Sequence, residues 1–400
     1  MPRWSVAVAS ALVAATLSAG MVGVFAVDQR DDRVPAAHAA ATSTTGRKAG
    51  AASTIAAATT TTTAAAGSID AVVPAIEAFV EKERGLRFKN PVQVTLLPGD
   101  QFEKRVTESD EADMAEVAHT EAVLQAMGLL DHDVDLAAVV RNFTAGAVLG
   151  FYDPKTKELV VRGARPTPYV RSVLAHELLH ALEDQNFGLD RDGLGDEAFL
   201  GFQALAEGSA VRIEDRYRRS LSKAEQRAAD REERDVGGKV PAAPEVVEII
   251  FGFPYAYGPD LVAAIVRAGG QARLDAAYAH PPGSSEQVLE PDHYLSGDEP
   301  KPVAAPKAEG EVFDDGEIGE LFLELMLRSE IDDAHAKAAA AGWGGDHYVA
   351  WKDGTRTCVR MDFVMDTPAD TAELGTALSH WAAARKGAAT ATGTSLRTCG

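Results

Sequence analysis

The chain is poor in cysteine and in positive charge. Only two of its 400 residues are cysteines, Cys358 and Cys399. Neither has a nearby metal-ligand partner in the sequence, so we expect no cysteine-based metal site. Asp and Glu number 60 against 39 Lys and Arg, which gives a formal net charge of -21. Because a surface of that sign repels phosphate backbones, the composition predicts no nucleic-acid partner.

Long apolar runs are also scarce, and the clearest one lies near the N-terminus. Ser5 to Val27 carries no charge and is followed by the polar run DQRDDR. The apolar core of a signal peptide spans about 7–15 residues and a membrane span about 20, so residues 1–27 favour an uncleaved anchor. Cleavage near the small residues of Ala36–Ala40 is the alternative. Either way, we expect the bulk of the chain to be extracytoplasmic.

An exported location bears on the two cysteines and on the anchor type. An even cysteine count outside the cytoplasm favours one disulfide that ties the C-terminal tail to the body, with two free thiols as the alternative. No cysteine lies near the N-terminal segment, which argues against a lipid anchor.

Composition divides the rest of the chain. Residues 28–68 are rich in Ala and Thr and predict a flexible stalk, because they cannot bury a core. Residues 69–300 form the predicted main domain. Residues 301–312 are rich in Pro and Ala and predict a linker. Residues 313–385 predict a C-terminal α/β segment, either a lobe of the main domain or a separate unit, and residues 386–400 a tail.

Hydrophobic periodicity predicts an α+β fold that is mainly helical, with a short β-hairpin or sheet and a C-terminal α/β segment. VLGFYDPKTKELVVRG is typical of a hairpin. Asp196 is a plausible cap for the helix that it begins. The predicted helices and strands before the linker are a helix from Ile69, a strand at Pro91–Leu97, one or two helices over 103–140, and helices at 168–186, from Asp196, at 220–238 and over 241–289.

The stretch AHELLHALEDQ, Ala175–Gln185, has the spacing of a metal site. On a helix, His176 and His180 lie on one face, one turn apart, and can present two imidazoles to one ion. Zinc accepts such nitrogens at about 2.0–2.1 Å. Glu177 lies beside the ion without binding it, which is the position of a base that acts on water. The alternative is a helix that contains two histidines with no metal.

A catalytic zinc site usually has three protein ligands and one open position. One class of zinc peptidases has its third histidine at the position occupied here by Asn186, so that class is excluded. The other class takes a glutamate from a following helix, and Glu207 in LAEGSA is the candidate. We expect the small residues Gly208, Ser209 and Ala210 to let this helix lie close against the first. An exposed, unliganded Glu207 is the alternative.

Further residues are candidates for supporting roles. Asp184 or Glu214 is expected to hold the second nitrogen of a histidine ligand. The strand ELVVRG, which precedes the motif helix, is a candidate edge on which an extended substrate pairs its backbone. The candidate donors to a developing negative charge are Tyr255, Tyr257, His280, His293 and Tyr294.

HELLHALEDQNF, followed by a helix with AEGSA, resembles the gluzincin-type zinc metallopeptidases. More narrowly, the chain is similar to a little-characterised group of exported bacterial proteins, over about residues 70 to 385. PPGSSEQVLEPDHY (281–294) and GWGGDHYVAW (342–351) also carry this resemblance. A histidine commonly stands in that group where this chain has Glu290. The resemblance implies a zincin-like domain with zinc on His176, His180 and Glu207, and with Glu177 as base.

The residues and the resemblance predict the same activity, a zinc-dependent peptidase of the cell envelope that acts on a protein or peptide. Two alternatives remain. In the first, zinc only braces the helices of an envelope-binding or scaffold protein. In the second, the chain is an anchored interaction module without metal.

Overall fold

The structure, a computed structural model, describes residues 68–108, 111–191 and 193–400. The predicted anchor and all but the last residue of the predicted stalk, residues 1–67, lie outside the described residues. The prediction of an α+β, mainly helical fold is confirmed. Before the linker the elements are α1 (Ile69–Arg84), β1 (Val94–Leu97), α2 (Gly99–Val106), α3 (Glu111–Met127), α4 (Leu136–Ala147), β2 (Gly150–Tyr152), β3 (Leu159–Arg162), α5 (Pro168–Phe187), α6 (Asp196–Ser220), α7 (Lys223–Gly237), α8 (Glu245–Ala277), α9 (Ser285–Leu289) and α10 (Pro291–Ser296).

The first sheet has the strand order β1-β3-β2. β2 and β3 form the predicted antiparallel hairpin, and β1 pairs with β3 in parallel. β3 contains the stretch ELVV and is therefore the central strand, with both of its edges paired. The prediction that this strand offers a free edge to a substrate is wrong, because β1, far away in the sequence, occupies that edge.

The motif helix α5 starts and ends where its local sequence predicts. The hydroxyl of Thr167 accepts a hydrogen bond from the backbone N–H of Val170, and Pro168 occupies the first turn. Gly188, with φ +72, follows the last residue. These are the usual boundaries of a helix, because the first turn needs an acceptor for its backbone N–H groups and glycine adopts the positive φ after the last turn without strain. α5 is buried on nearly all sides, so it is the central helix of the main domain.

α6 lies between α5 and α8 and makes intimate contact with α8. A side chain on either Gly208 or Gly258 would overlap the backbone of the other helix. The small residue at 208 therefore permits close packing, as expected, but against α8 rather than α5. Asp196, the predicted cap, is instead the first residue of α6. The cap position is occupied by Gly195, which has no side chain that could bond to the helix.

The C-terminal part is an antiparallel sheet covered by helices, with the strand order β4-β5-β6-β8-β7. Cys358 and Cys399 are opposite each other on β6 and β8 and form a disulfide, which confirms that prediction. The elements are β4 (Val312–Gly316), α11 (Gly319–Arg328), α12 (Asp333–Ala340), β5 (Trp343–Asp353), β6 (Arg356–Met365), α13 (Pro368–Ala384), β7 (Ala389–Thr392) and β8 (Ser395–Cys399).

Residues 386–400, predicted as a tail, contain β7 and β8 of this sheet. The two strands are joined by the two-residue turn Gly393-Thr394, where Gly393 has φ +58. A glycine in a two-residue loop is a common hairpin signal, so the sequence did contain the information. Residues 301–311, predicted as most of the linker, have no regular secondary structure.

The main domain and the C-terminal part share one hydrophobic core. Phe102 and Leu205 from the first part belong to the same buried cluster as Trp343 and Leu396 from the second. The C-terminal part is therefore a lobe packed onto the helical domain. In the described part of the chain, one helix, α8, is long and apolar enough to cross a membrane, but 56% of its most apolar window is buried inside the protein.

Candidate metal centre

The three predicted ligands converge. His176, His180 and Glu207 bring their ligand atoms within 4.8 Å of one another. Nε2 of His176 lies 3.0 Å from Oε2 of Glu207, and Nε2 of His180 lies 3.4 Å from the same oxygen. Ligand atoms at about 2.0–2.1 Å from a tetrahedral ion lie about 3.3 Å apart. The observed spacing is thus close to that of donors around one zinc ion.

Burial and bonding also fit a cation. His176 is fully buried, and His180 and Glu207 are 2% and 7% exposed. Nε2 of His180 is buried, and its 3.4 Å approach to Oε2 of Glu207 does not have hydrogen-bond geometry. Burial of a ring nitrogen without a hydrogen bond lowers the stability of the fold unless a cation binds the nitrogen. The chemistry of the donor set, two imidazoles and one carboxylate, suits zinc.

The electrostatics of the cluster favour positive charge. Burial alone lowers the pKa of His176, but its contacts with Glu207 and Glu214 outweigh burial and raise the pKa to about 10. Burial alone raises the pKa of Glu207, but His180 and His176 outweigh it and lower the pKa to about 2. The electrostatic environment formed by His176, His180, Glu207 and Glu214 thus stabilises positive charge at the centre of the cluster. A bound divalent metal would supply that charge.

Glu214 holds the outer nitrogen of His176. Its Oε2 lies 3.3 Å from Nδ1, two helical turns from Glu207 on the same face of α6. A carboxylate in this position fixes the ring and directs Nε2 at a metal. Asp184, the other candidate, does not hold a histidine. Its carboxylate accepts from the hydroxyl of Tyr152 at 2.7 Å and from Nζ of Lys157 at 2.7 Å.

Glu177 lies beside the ligands and against the first sheet. It is fully buried, and its negative charge contributes to the raised pKa of His176. A Cβ on Gly150 of β2 would lie 3.2 Å from its Oε1. Gly150 therefore leaves the space that the carboxylate occupies. No local pattern in the sequence marks Gly150 for this role, since a glycine at the start of a strand carries no signal that links it to a helix further along.

A buried ionic network braces the same two helices. Glu183, on α5, accepts from Nε of Arg84 at 2.7 Å, from the hydroxyl of Ser209 at 2.8 Å and from the hydroxyl of Tyr278 at 2.5 Å. Arg84 is 2% exposed and also donates to Asp275 at 2.6 Å. The network joins α1, α5, α6 and the end of α8 next to the ligands. Sequence reasoning missed it, because its partners lie on four separate helices.

The five candidate donors are dispersed. The ring of Tyr255 stacks on that of His176, with centroids 6.2 Å apart and planes 18° apart. Tyr257 packs on Phe253, 5.1 Å between centroids. Tyr294 donates to the carbonyl of His280 at 2.8 Å. His293 lies 3.0 Å from Asp298 and belongs to a separate group of acidic residues. Of the five, Tyr255 is the residue seen in ring contact with a predicted ligand.

Comparison with known proteins is informative for the lobe alone. The model of a family described as a domain of unknown function (DUF8575) matches residues 310–398. Those residues run from just before β4 to β8 and exclude every residue of the candidate metal centre. No curated protein matches the chain. No solved structure matches it either.

Proposed function

We propose that this protein is a zinc-dependent peptidase. The observation that carries the proposal is the convergence of His176, His180 and Glu207 within 4.8 Å, with the buried carboxylate of Glu177 beside them. When bound, zinc acts as a Lewis acid on a carbonyl group and lowers the pKa of water towards about 7.

The residues of the chain supply the remaining chemistry. Glu177 accepts a proton from the attacking water, so that the water oxygen can bond to the carbonyl carbon of the substrate. It then returns that proton to the amine nitrogen as the carbon–nitrogen bond breaks. Glu214 keeps the ring of His176 in position, and the network around Glu183 holds α5 and α6 together. The products are one carboxylate and one amine.

The proposed location is the cell envelope. This part of the proposal rests on the uncharged run Ser5–Val27, which would anchor the chain in a membrane or direct its export. The disulfide between Cys358 and Cys399 agrees with an oxidising compartment. The substrate is proposed to be a protein or peptide outside the cytoplasm.

One observation favours a second candidate, a non-catalytic zinc site that braces the helices. The ligands and Glu177 are nearly inaccessible to solvent, whereas a peptidase must admit a substrate. A catalytic role therefore requires a path by which a peptide reaches the site. A structural role requires neither that path nor a base at position 177.

Glu177→Gln separates the two candidates. Because Gln cannot accept the proton, the variant should bind stoichiometric zinc and lose peptide hydrolysis by a factor of at least about 100. The measurements are metal content and cleavage of a mixed peptide library by the purified full-length protein, with and without a chelator. Asp235→Asn, which changes an exposed carboxylate, is the control.

Two outcomes would contradict the peptidase proposal. A wild-type protein that binds zinc but cleaves no peptide in the library would favour the structural site. A wild-type protein without bound transition metal would remove both zinc candidates and favour the metal-free interaction module.

A further inference from the structure

The segment 281–294 has no role in the proposed peptidase site, yet it is firmly built into the fold. Both the backbone N–H and the hydroxyl of Ser285 donate to Oε2 of Glu197 on α6, each at 2.7 Å. The hydroxyl of Ser285 in turn accepts from the backbone N–H of Leu321 on α11 at 3.3 Å. The segment is thus held between the helical domain and the lobe.

Three side chains meet where this segment touches the lobe. Glu286 on α9, His293 on α10 and Asp366 after β6 bring their ligand atoms within 4.8 Å of one another. Glu286 is 5% exposed, and its Oε1 makes no hydrogen bond. The side chains of His293 and Asp366 are 28% and 25% exposed, so the group is open to solvent on one side.

The histidine is oriented as in the first site. Nδ1 of His293 lies 3.0 Å from Oδ2 of Asp298, which leaves Nε2 to face outward from that pair. Metal-binding histidines commonly have their second nitrogen fixed by a carboxylate in this way. The same arrangement links His176 to Glu214.

Charge around the group is unbalanced. Burial raises the pKa of Glu286 to about 8; the nearby acids Glu320, Asp366 and Asp298 add to this effect, whereas His293 opposes it. Lys301 is the cation in direct contact, with its Nζ 2.5 Å from Oδ1 of Asp366. It reaches one oxygen of Asp366 but leaves Oε1 of Glu286 without a partner. A buried carboxylate oxygen in that position is stabilised by a cation.

We propose that Glu286, His293 and Asp366 form a second divalent-metal site, which links the segment 281–294 to the C-terminal lobe. One imidazole and two carboxylates favour a transition metal such as Zn²⁺ over Ca²⁺, which prefers six to eight oxygen ligands. The open side leaves room for water to complete the coordination. The site is structural, since it joins two parts of the fold, and it is independent of the peptidase proposal.

The test is calorimetric titration of the purified full-length protein with Zn²⁺. Wild type should bind two equivalents. Glu286→Gln should lose the second, and His176→Ala with His180→Ala should lose only the first. Glu373→Gln, an exposed carboxylate on α13, is the matched control and should bind both.

Thermal unfolding with and without Zn²⁺ separates loss of a ligand from loss of structure. Since Glu286→Gln replaces a buried acid with a neutral side chain of the same shape, its melting temperature without added metal should equal or exceed that of wild type. The increase in its melting temperature on addition of Zn²⁺ should shrink to the increase that one occupied site produces. Should Glu286→Gln fold poorly, Asp298→Asn, which keeps all three ligands, should weaken the second site by about 10–100-fold.

Three results would overturn the proposal. They are a single equivalent of Zn²⁺ in wild type that His176→Ala with His180→Ala abolishes, a second equivalent that survives Glu286→Gln, and displacement of the second Zn²⁺ by a hundredfold excess of Ca²⁺. The first of these would mean that the cationic side chains of the protein, Lys301 and His293, balance this group without a metal.

Discussion

Three carboxylates near the two motif histidines differ in what they contact, although all three are buried. Glu207 lies 3.0 Å from Nε2 of His176 and Glu214 lies 3.3 Å from its Nδ1. Asp184 is one turn from His180 along α5, yet it bonds to Tyr152 and Lys157. Residue type and spacing therefore do not distinguish an outer-nitrogen partner from a structural carboxylate, whereas contact does.

Glu214→Gln and Asp184→Asn form a matched pair that tests this difference. Glu214→Gln should lower zinc affinity by about 10–100-fold, because a neutral amide oxygen is a weaker acceptor for the His176 ring. Asp184→Asn should leave zinc affinity within about twofold of the wild-type value, whether or not it changes the stability of the fold. Competition with a colorimetric zinc chelator measures both. Equal losses in the two variants would contradict the assignment of Glu214.

Helix α6 brings Glu207 to the histidines because it fits between two other helices. On one side Ser209 bonds to Glu183 of α5. On the other, Gly208 meets Gly258 of α8 without room for a side chain at either position. The position of Glu207, the third predicted ligand, is thus set by backbone contact at the residue that follows it. Close approach of this kind depends on glycine at both helices.

Gly258→Ala should destabilise the protein and weaken the metal site together. A Cβ there overlaps the carbonyl of Ala204, so the helices must separate, at a cost of about 1–3 kcal/mol in the free energy of unfolding. Chemical denaturation and zinc affinity are the measurements. Gly375→Ala on α13 is the control, since its Cβ would make an ordinary contact of 3.4 Å with the backbone carbonyl oxygen of Gly393. That change should be neutral or stabilise by up to about 1 kcal/mol.

At the scale of the whole molecule, the domain and the lobe meet through a shared core and through buried acids. Burial and the neighbouring Asp196 raise the pKa of Asp314 on β4 to about 7. Burial raises the pKa of Asp346 on β5 to about 7, although it accepts from the backbone of Ile318 and Gly319. Both acids are more easily ionised in the unfolded chain.

Stability should therefore fall as pH rises from about 4 to 7. In that window the unfolded chain has lost protons that the folded protein retains, so each pH step favours unfolding. The contribution is fully present below the ordinary pKa of an aspartate and is lost as pH passes the folded value of about 7. Urea unfolding at a series of pH values measures the slope.

Asp314→Asn tests which group is responsible. It should raise the free energy of unfolding at pH 8 by about 1–3 kcal/mol, because it removes a buried charge next to Asp196. At pH 4 it should have little effect, since Asp314 is then protonated. A variant with the same pH slope as wild type would show that other groups set the dependence.

Local signals were sufficient to predict the motif helix and the residues that converge beside it. Thr167, Pro168 and Gly188 mark the two ends of α5 within the chain itself. The four-residue spacing places His176 and His180 on one face whatever surrounds the helix. Glu207 is the glutamate that the following helix offers in LAEGSA, and the structure brings it to both imidazoles.

Contacts between residues far apart in the sequence decided the strand pairing, the helix packing and the second cluster of side chains. Such contacts leave no local pattern in the sequence. β1 covers the edge of β3 from across the sequence, Gly208 packs on α8 rather than α5, and Arg84 reaches Glu183 from α1. Glu286 and His293 meet Asp366 only because the lobe folds back onto the helical domain. Periodicity and spacing constrain neighbours within a few turns of the chain. Which surfaces then meet depends on how all the elements pack together.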